Sequence, residues 1–187
     1  MKSVWEDNKM FDYEKFENNV VQQMEIQLNK WLRENDDIYI FSLDCARGME
    51  SIGAIANTNH FLIEQAEPNS QEYWYSKYCE EEWELWAAFE TISSEMNTCL
   101  IDNEGIYSDT ENFEYSESFD KHCENIIECC VNSLIRFRQS LNQKHMDIIL
   151  TFSIREYLDD EDKMKIFEKI NGKDASEEYF KHSKEIS

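Results

Sequence analysis

Cysteines, histidines and a large excess of carboxylates are the side chains able to do chemistry here, and their spacing limits what each could do. Cys123, Cys129 and Cys130 form the tightest thiol group. A zinc site needs pairs such as C-x₂-C and four nitrogen or sulfur ligands in all. Cys123 and Cys130 are instead spaced to share one stripe of a helix, so they read as small core residues. His122 adjoins Cys123, but neighbouring helix positions do not face each other, so the two cannot work as nucleophile and base. His60, His145 and His182 stand singly in polar stretches and read as surface histidines. Four scattered glycines cannot build a phosphate loop, and no serine sits in a nucleophile elbow. Asp102-Asn103-Glu104-Gly105 has the acid and glycine of a calcium loop without the rest of its ligand pattern, and reads as an acidic turn. No catalytic residue, no metal site and no cofactor is expected, and the chain is not expected to be an enzyme.

The carboxylates carry the stronger signal. Forty acidic residues oppose 18 basic ones, a formal net charge of -22 on 187 residues. A charge of magnitude about 2–8 already keeps a small domain soluble, so the excess asks for another explanation. Such a field repels nucleic acid and anionic membranes and steers in a basic protein surface. The acid runs fall at residues 80–84, 109–117 and 159–162. Trp74, Trp83 and Trp86 lie around the first run, where they either pack over a sheet or serve as aromatic anchors inside a polar rim. The expected contact surface for a basic partner is Glu80, Glu81, Glu82, Trp83 and Glu84, followed by the loop bearing Asp109, Glu111 and Glu114. The competing expectation is a small ligand-binding protein or enzyme with its site at a sheet edge, using Cys45, His60 or Asp44. A self-associating scaffold is a third, against which the net charge argues.

The elements that must position these residues follow from periodicity. Tyr13, Phe16, Val20, Met24, Leu28 and Trp31 step by three or four, predicting an amphipathic helix over residues 11–34. Residues 38–43, β-branched and aromatic, predict a central strand. Ala46-Arg47-Gly48 turns the chain into a second strand over 51–56, giving an antiparallel hairpin. The small Gly53, Ala54 and Ala56 suggest a helix packed closely over that strand. Thr58 is placed to cap a short helix reaching about residue 67, and Pro68-Asn69-Ser70 turns the chain. Residues 73–78, dense in tyrosine and tryptophan, predict a third strand that residues 80–86 continue or leave. A helix is expected over 87–100, and a long one from Ser116 or Ser118 with Phe119, Cys123, Ile126, Cys130, Leu134 and Phe137 on its stripe. The last strand is expected over 147–154, then helices over 161–170, stopped by Asn171-Gly172, and 175–183. The sum is an α+β domain spanning residues 1–187: one antiparallel or mixed sheet of four to five strands, covered by two long helices, with short C-terminal helices.

This order of features resembles the bacterial domain of unknown function DUF4303. The residues that carry the resemblance are the strand Ile38-Tyr39-Ile40-Phe41-Ser42-Leu43, the turn Ile55-Ala56-Asn57-Thr58, the aromatic Tyr73-Trp74-Tyr75, the pair Glu82-Trp83 and the strand Ile149-Leu150-Thr151-Phe152-Ser153. It covers about residues 12 to 170, and departs around Cys79 to Glu82, where the family more often has a proline-containing turn. It implies no catalytic residues. Small acidic domains of this type resemble immunity proteins of polymorphic toxin systems, which implies a cognate, basic toxin domain as the partner. The polar start Met1-Lys2-Ser3-Val4-Trp5-Glu6-Asp7, the lack of a long apolar run and the unpaired look of the six cysteines predict a cytoplasmic protein with reduced thiols.

Overall fold

The computed structural model describes residues 11–109, 114–154 and 157–183. Helix α1 spans Tyr13–Trp31, with Asp12 accepting from the Lys15 amide at 2.9 Å as its N-cap. Its buried residues are Phe16, Val20, Met24, Leu28 and Trp31, the expected stripe. Strands β1 (Ile38–Cys45) and β2 (Ile52–Thr58) form the antiparallel hairpin. Thr58 then caps α2 (Asn59–Gln65), accepting from the Phe61 amide at 3.2 Å.

The next segment differs from the reading of its residues. Residues 73–78 are not a strand; they lie in helix α3 (Gln71–Tyr78), which Ser70 caps by accepting from the Tyr73 amide at 3.0 Å. Aromatic residues favour strands only as far as they fit a half-buried pleat. Here Trp74 and Tyr78, four apart, stack on one helix face with ring centroids 6.4 Å apart, and tertiary packing overrides propensity. Glu80–Glu82 form a single 3₁₀ turn. The third strand, β3, is Leu85–Ala88, so helix α4 begins only at Glu90 and runs to Asp102. Strand β3 lies so close to β2 that a Cβ on Gly53 would sit 2.6 Å from the Ala87 carbonyl oxygen. The glycine thus answers to a strand, whereas Ala54 and Ala56 face the helices.

A short helix α5 (Glu104–Tyr107) leads to the two-residue strands β4 (Ser108–Asp109) and β5 (Glu114–Tyr115), which pair with each other. Ser116 caps the long helix α6 (Glu117–Ser140), accepting from the Phe119 amide at 3.3 Å. Strand β6 (Ile149–Ile154) pairs parallel with β1. Helix α7 (Asp160–Asn171) ends at Gly172, whose φ of 84° suits glycine, and α8 (Lys173–Ser183) follows.

Among the described residues the main sheet is four-stranded and mixed, in the order β3-β2-β1-β6. Its first face carries Phe41, Leu43, Cys45, Ala54, Ala56, Leu150 and Phe152 into the main core beneath α1, α4 and α6. Phe41 meets Phe137 of α6 at 5.5 Å and Trp31 of α1 at 5.9 Å between ring centroids. The second face holds a smaller cluster, Ile40 with Tyr78 and Trp83, flanked by Ile55, Ile149, Trp74 and Tyr179. That cluster is roofed by α3, the 3₁₀ turn and α8. No helix among the described residues is long and apolar enough to cross a membrane.

Candidate functional site

The acid run at 80–84 does not act as one face. Its backbone crosses the second face of the sheet, and Glu80 and Trp83, three apart across the 3₁₀ turn, go inward while Glu81, Glu82 and Glu84 go outward. Glu80 turns inward, accepting from the Ser153 hydroxyl at 2.7 Å and the Ser42 hydroxyl at 3.4 Å. Burial raises its pKa; Asp44 adds to the rise, while the two hydroxyls and Lys163 oppose it. Glu81 and Glu82 are exposed. Trp83 is 8% exposed, packs on Ile40 and Tyr78, and donates its indole N–H to the Ser76 carbonyl at 3.2 Å. It is therefore a core residue rather than an exposed anchor. Glu84 is exposed and accepts from the Thr58 hydroxyl that caps α2.

The free aromatic is Trp86. It sits in β3, whose burial alternates, with Leu85 and Ala87 half-buried and Trp86 and Ala88 exposed. Trp86 is 68% exposed, whereas Trp74 is half-buried and stacked on His182 at 3.6 Å. β3 pairs with β2 on one side, and no strand among the described residues pairs with the other. An exposed tryptophan on an open strand edge, with Glu82 and Glu84 before it and Glu90 after it, combines backbone donors and acceptors, an apolar anchor and negative charge. By sequence Trp86 groups with Trp74 and Trp83; the signal that it points outward is Glu84, two residues before it and so on the same face of a strand.

The second acidic loop lies elsewhere. Asp109 and Glu114 are register partners in the β4–β5 backbone pair, and Glu111 is outside the described residues. That pair is fastened to α5 and α6: the Ser116 hydroxyl donates to the Ile106 carbonyl at 2.5 Å, and Tyr115 stacks on Phe119 at 4.1 Å. It belongs to the helical layer on the first face, so it is not brought together with the 80–84 turn.

The alternative residues do not assemble either. Cys45 is buried on the first face beside Met49, and burial pushes its thiol pKa far up, so it is no nucleophile at neutral pH. Cys45 pairs with Ile52 at one end of the hairpin, and Thr58 pairs with Ile38 at the other. His60 follows Thr58, roughly 20 Å from Cys45 at strand spacing. It is exposed and 3.3 Å from Glu64. Cys123 and Cys130 are buried core residues as expected, and all six thiols are free. Among the described residues no group of three or more metal-binding side chains forms. One histidine expectation fails: His182 is buried, because Trp74 covers its ring.

The profile of DUF4303, a domain of unknown function, matches residues 18–172. No curated protein matches the chain, and no solved structure does. The matched stretch contains every strand of the main sheet and the whole of β3 with Trp86, and by that match the chain belongs to the DUF4303 family.

Proposed function

We propose that this protein is a non-enzymatic binding module that docks a basic protein partner against the open edge of β3, acting as an immunity-type inhibitor of a cationic toxin domain in the cytoplasm. The observation that carries the reading is Trp86, 68% exposed in an edge strand whose outer side pairs with no strand among the described residues, in a chain of net charge -22. Edge strands left open are a hazard that proteins ordinarily cover. On the other edge of this sheet Asn171 bonds both backbone groups of Leu150 in β6. Carboxylates on Glu81, Glu82 and Glu84 supply steering and register, while Trp86 supplies the desolvated anchor. The same field disfavours nucleic acid and anionic membrane as partners.

Co-expression with the product of the neighbouring upstream gene tests this. Rescue of growth, with a complex that co-purifies at low salt and weakens at high salt, supports the reading. Absence of both rescue and complex, with the neighbour shown to be toxic alone, overturns the pairing. A complex that Trp86→Ala leaves intact overturns the assignment of the surface.

A further inference from the structure

A cavity of about 490 Å³ opens on the second face between β6, the 3₁₀ turn, α7 and α8, away from Trp86. Its floor is polar where a sheet face ordinarily packs apolar side chains. Parallel pairing sets Ser42 beside Thr151 and Asp44 beside Ser153, and Glu80 reaches down between the two serine hydroxyls. Thr151 is 8% exposed and lines the cavity, and its hydroxyl oxygen has no hydrogen-bond partner among the described residues. A buried hydroxyl without a partner is costly and marks a place where a further group belongs. The walls are aromatic and aliphatic, with Phe167 and Tyr179 stacked at 4.3 Å.

We infer that this cavity binds a small organic amine, with its ammonium held by Glu80 and the Thr151 hydroxyl and its apolar body against Phe167 and Tyr179. The charge pattern selects a cation: Glu80 and Glu81 line the cavity against a single lysine, Lys163. Aromatic faces favour cations further. The neighbouring surface already recognises an ammonium in this manner. Lys77 lies 4.9 Å from the Trp74 ring centroid and 5.2 Å from that of Tyr78, and pairs with Glu178 at 2.7 Å. An anion would meet two carboxylates, and a neutral ligand would leave Lys163 as the one cation of the lining set against both of them.

Benzylamine is the probe, with benzyl alcohol and benzoate as its neutral and anionic counterparts, added to the full chain while backbone amides are followed by NMR. Benzylamine is expected to give saturable shifts at Thr151 and Ser153, and the other two none. Glu80→Gln keeps an acceptor for one of the two serines and is expected to weaken binding by about tenfold or more; Thr151→Val, of nearly the same shape, weakens it several-fold. Trp86→Ala leaves amine binding intact, which separates this site from the β3 edge. No saturable shift, an equal response to benzyl alcohol, or unchanged affinity in Glu80→Gln overturns the inference. If Glu80→Gln does not fold, Thr151→Val decides in the same way.

Discussion

Asn171 uses its side-chain amide as a fifth strand would use a peptide: Nδ2 donates to the Leu150 carbonyl at 2.7 Å, and Oδ1 accepts from the Leu150 N–H at 2.9 Å. The residue is the last of α7, and Arg138 of α6 also donates to its Oδ1, at 2.5 Å. One side chain therefore joins the end of α7 to the outer edge of the sheet and occupies both backbone groups of Leu150 there. β3, at the opposite edge, pairs on its outer side with no strand among the described residues.

Asn171→Ala should destabilise the protein by about 1–3 kcal/mol, since it leaves both Leu150 backbone groups and the Arg138 donor without their partner. Urea unfolding measures the loss as a lower midpoint at unchanged slope. The variant should also associate more readily at high concentration, because β6 becomes a second open edge. Unchanged stability would mean that water replaces the amide without loss.

Trp86→Ala should behave in the opposite way. An exposed side chain contributes little to the fold, so the unfolding free energy should stay within about 0.5 kcal/mol of the parent. Binding of the basic partner should weaken by about 2 kcal/mol or more, mostly through faster dissociation. Replacing Glu81 and Glu82 by Gln should instead slow association and flatten its salt dependence. Stopped-flow association at two ionic strengths separates the two kinds of contribution.

Much of this frame was legible because local and global signals agree. The α1 stripe, the β1–β2 hairpin, the Thr58 and Ser116 caps and the Gly172 stop each follow from residues adjacent in the chain. Helix α3 was not legible, since Tyr73-Trp74-Tyr75 has strand propensity and the contacts that reward a helix, Trp74 on His182 and Tyr78 on Tyr179, come from far along the chain. The same separation hid the burial of His182 and the parallel pairing of β1 with β6. Within the acid run, composition assigns every glutamate to solvent. Glu80 goes inward because Ser42 and Ser153, set diagonally across β1 and β6, offer it hydroxyl donors.

His122 should make stability depend on pH in a particular direction. Its ring is buried among Phe11, Tyr13 and Tyr107, with Nδ1 bonded to the Tyr13 hydroxyl at 2.8 Å and Nε2 without a partner among the described residues. Burial lowers its pKa from 6.5 to about 4. The unfolded chain thus binds the proton first as pH falls, and the folded state loses stability between pH 6.5 and 4. The loss is at most about 3 kcal/mol from this group. In His122→Leu that part of the slope should vanish, so unfolding curves of the two proteins should converge toward acid pH. A slope unchanged by the substitution would place the titration in the carboxylates.

Glu80 should show the reverse sign. Its folded-state pKa is raised, chiefly by burial, so the folded state holds the proton more tightly than the unfolded chain. Its contribution is best at low pH and declines as pH rises from the unfolded carboxylate range through the folded value. Glu80→Gln removes the buried charge while its amide oxygen still accepts from Ser153 or Ser42. The variant should therefore be more stable than the parent at pH 7, by about 1 kcal/mol, and no more stable at pH 3. A carboxylate kept where an amide would be more stable is the signature of a group retained for its charge. Chemical denaturation of the two proteins at both pH values measures it, and a variant less stable at pH 7 would instead assign Glu80 to holding the 3₁₀ turn against the sheet.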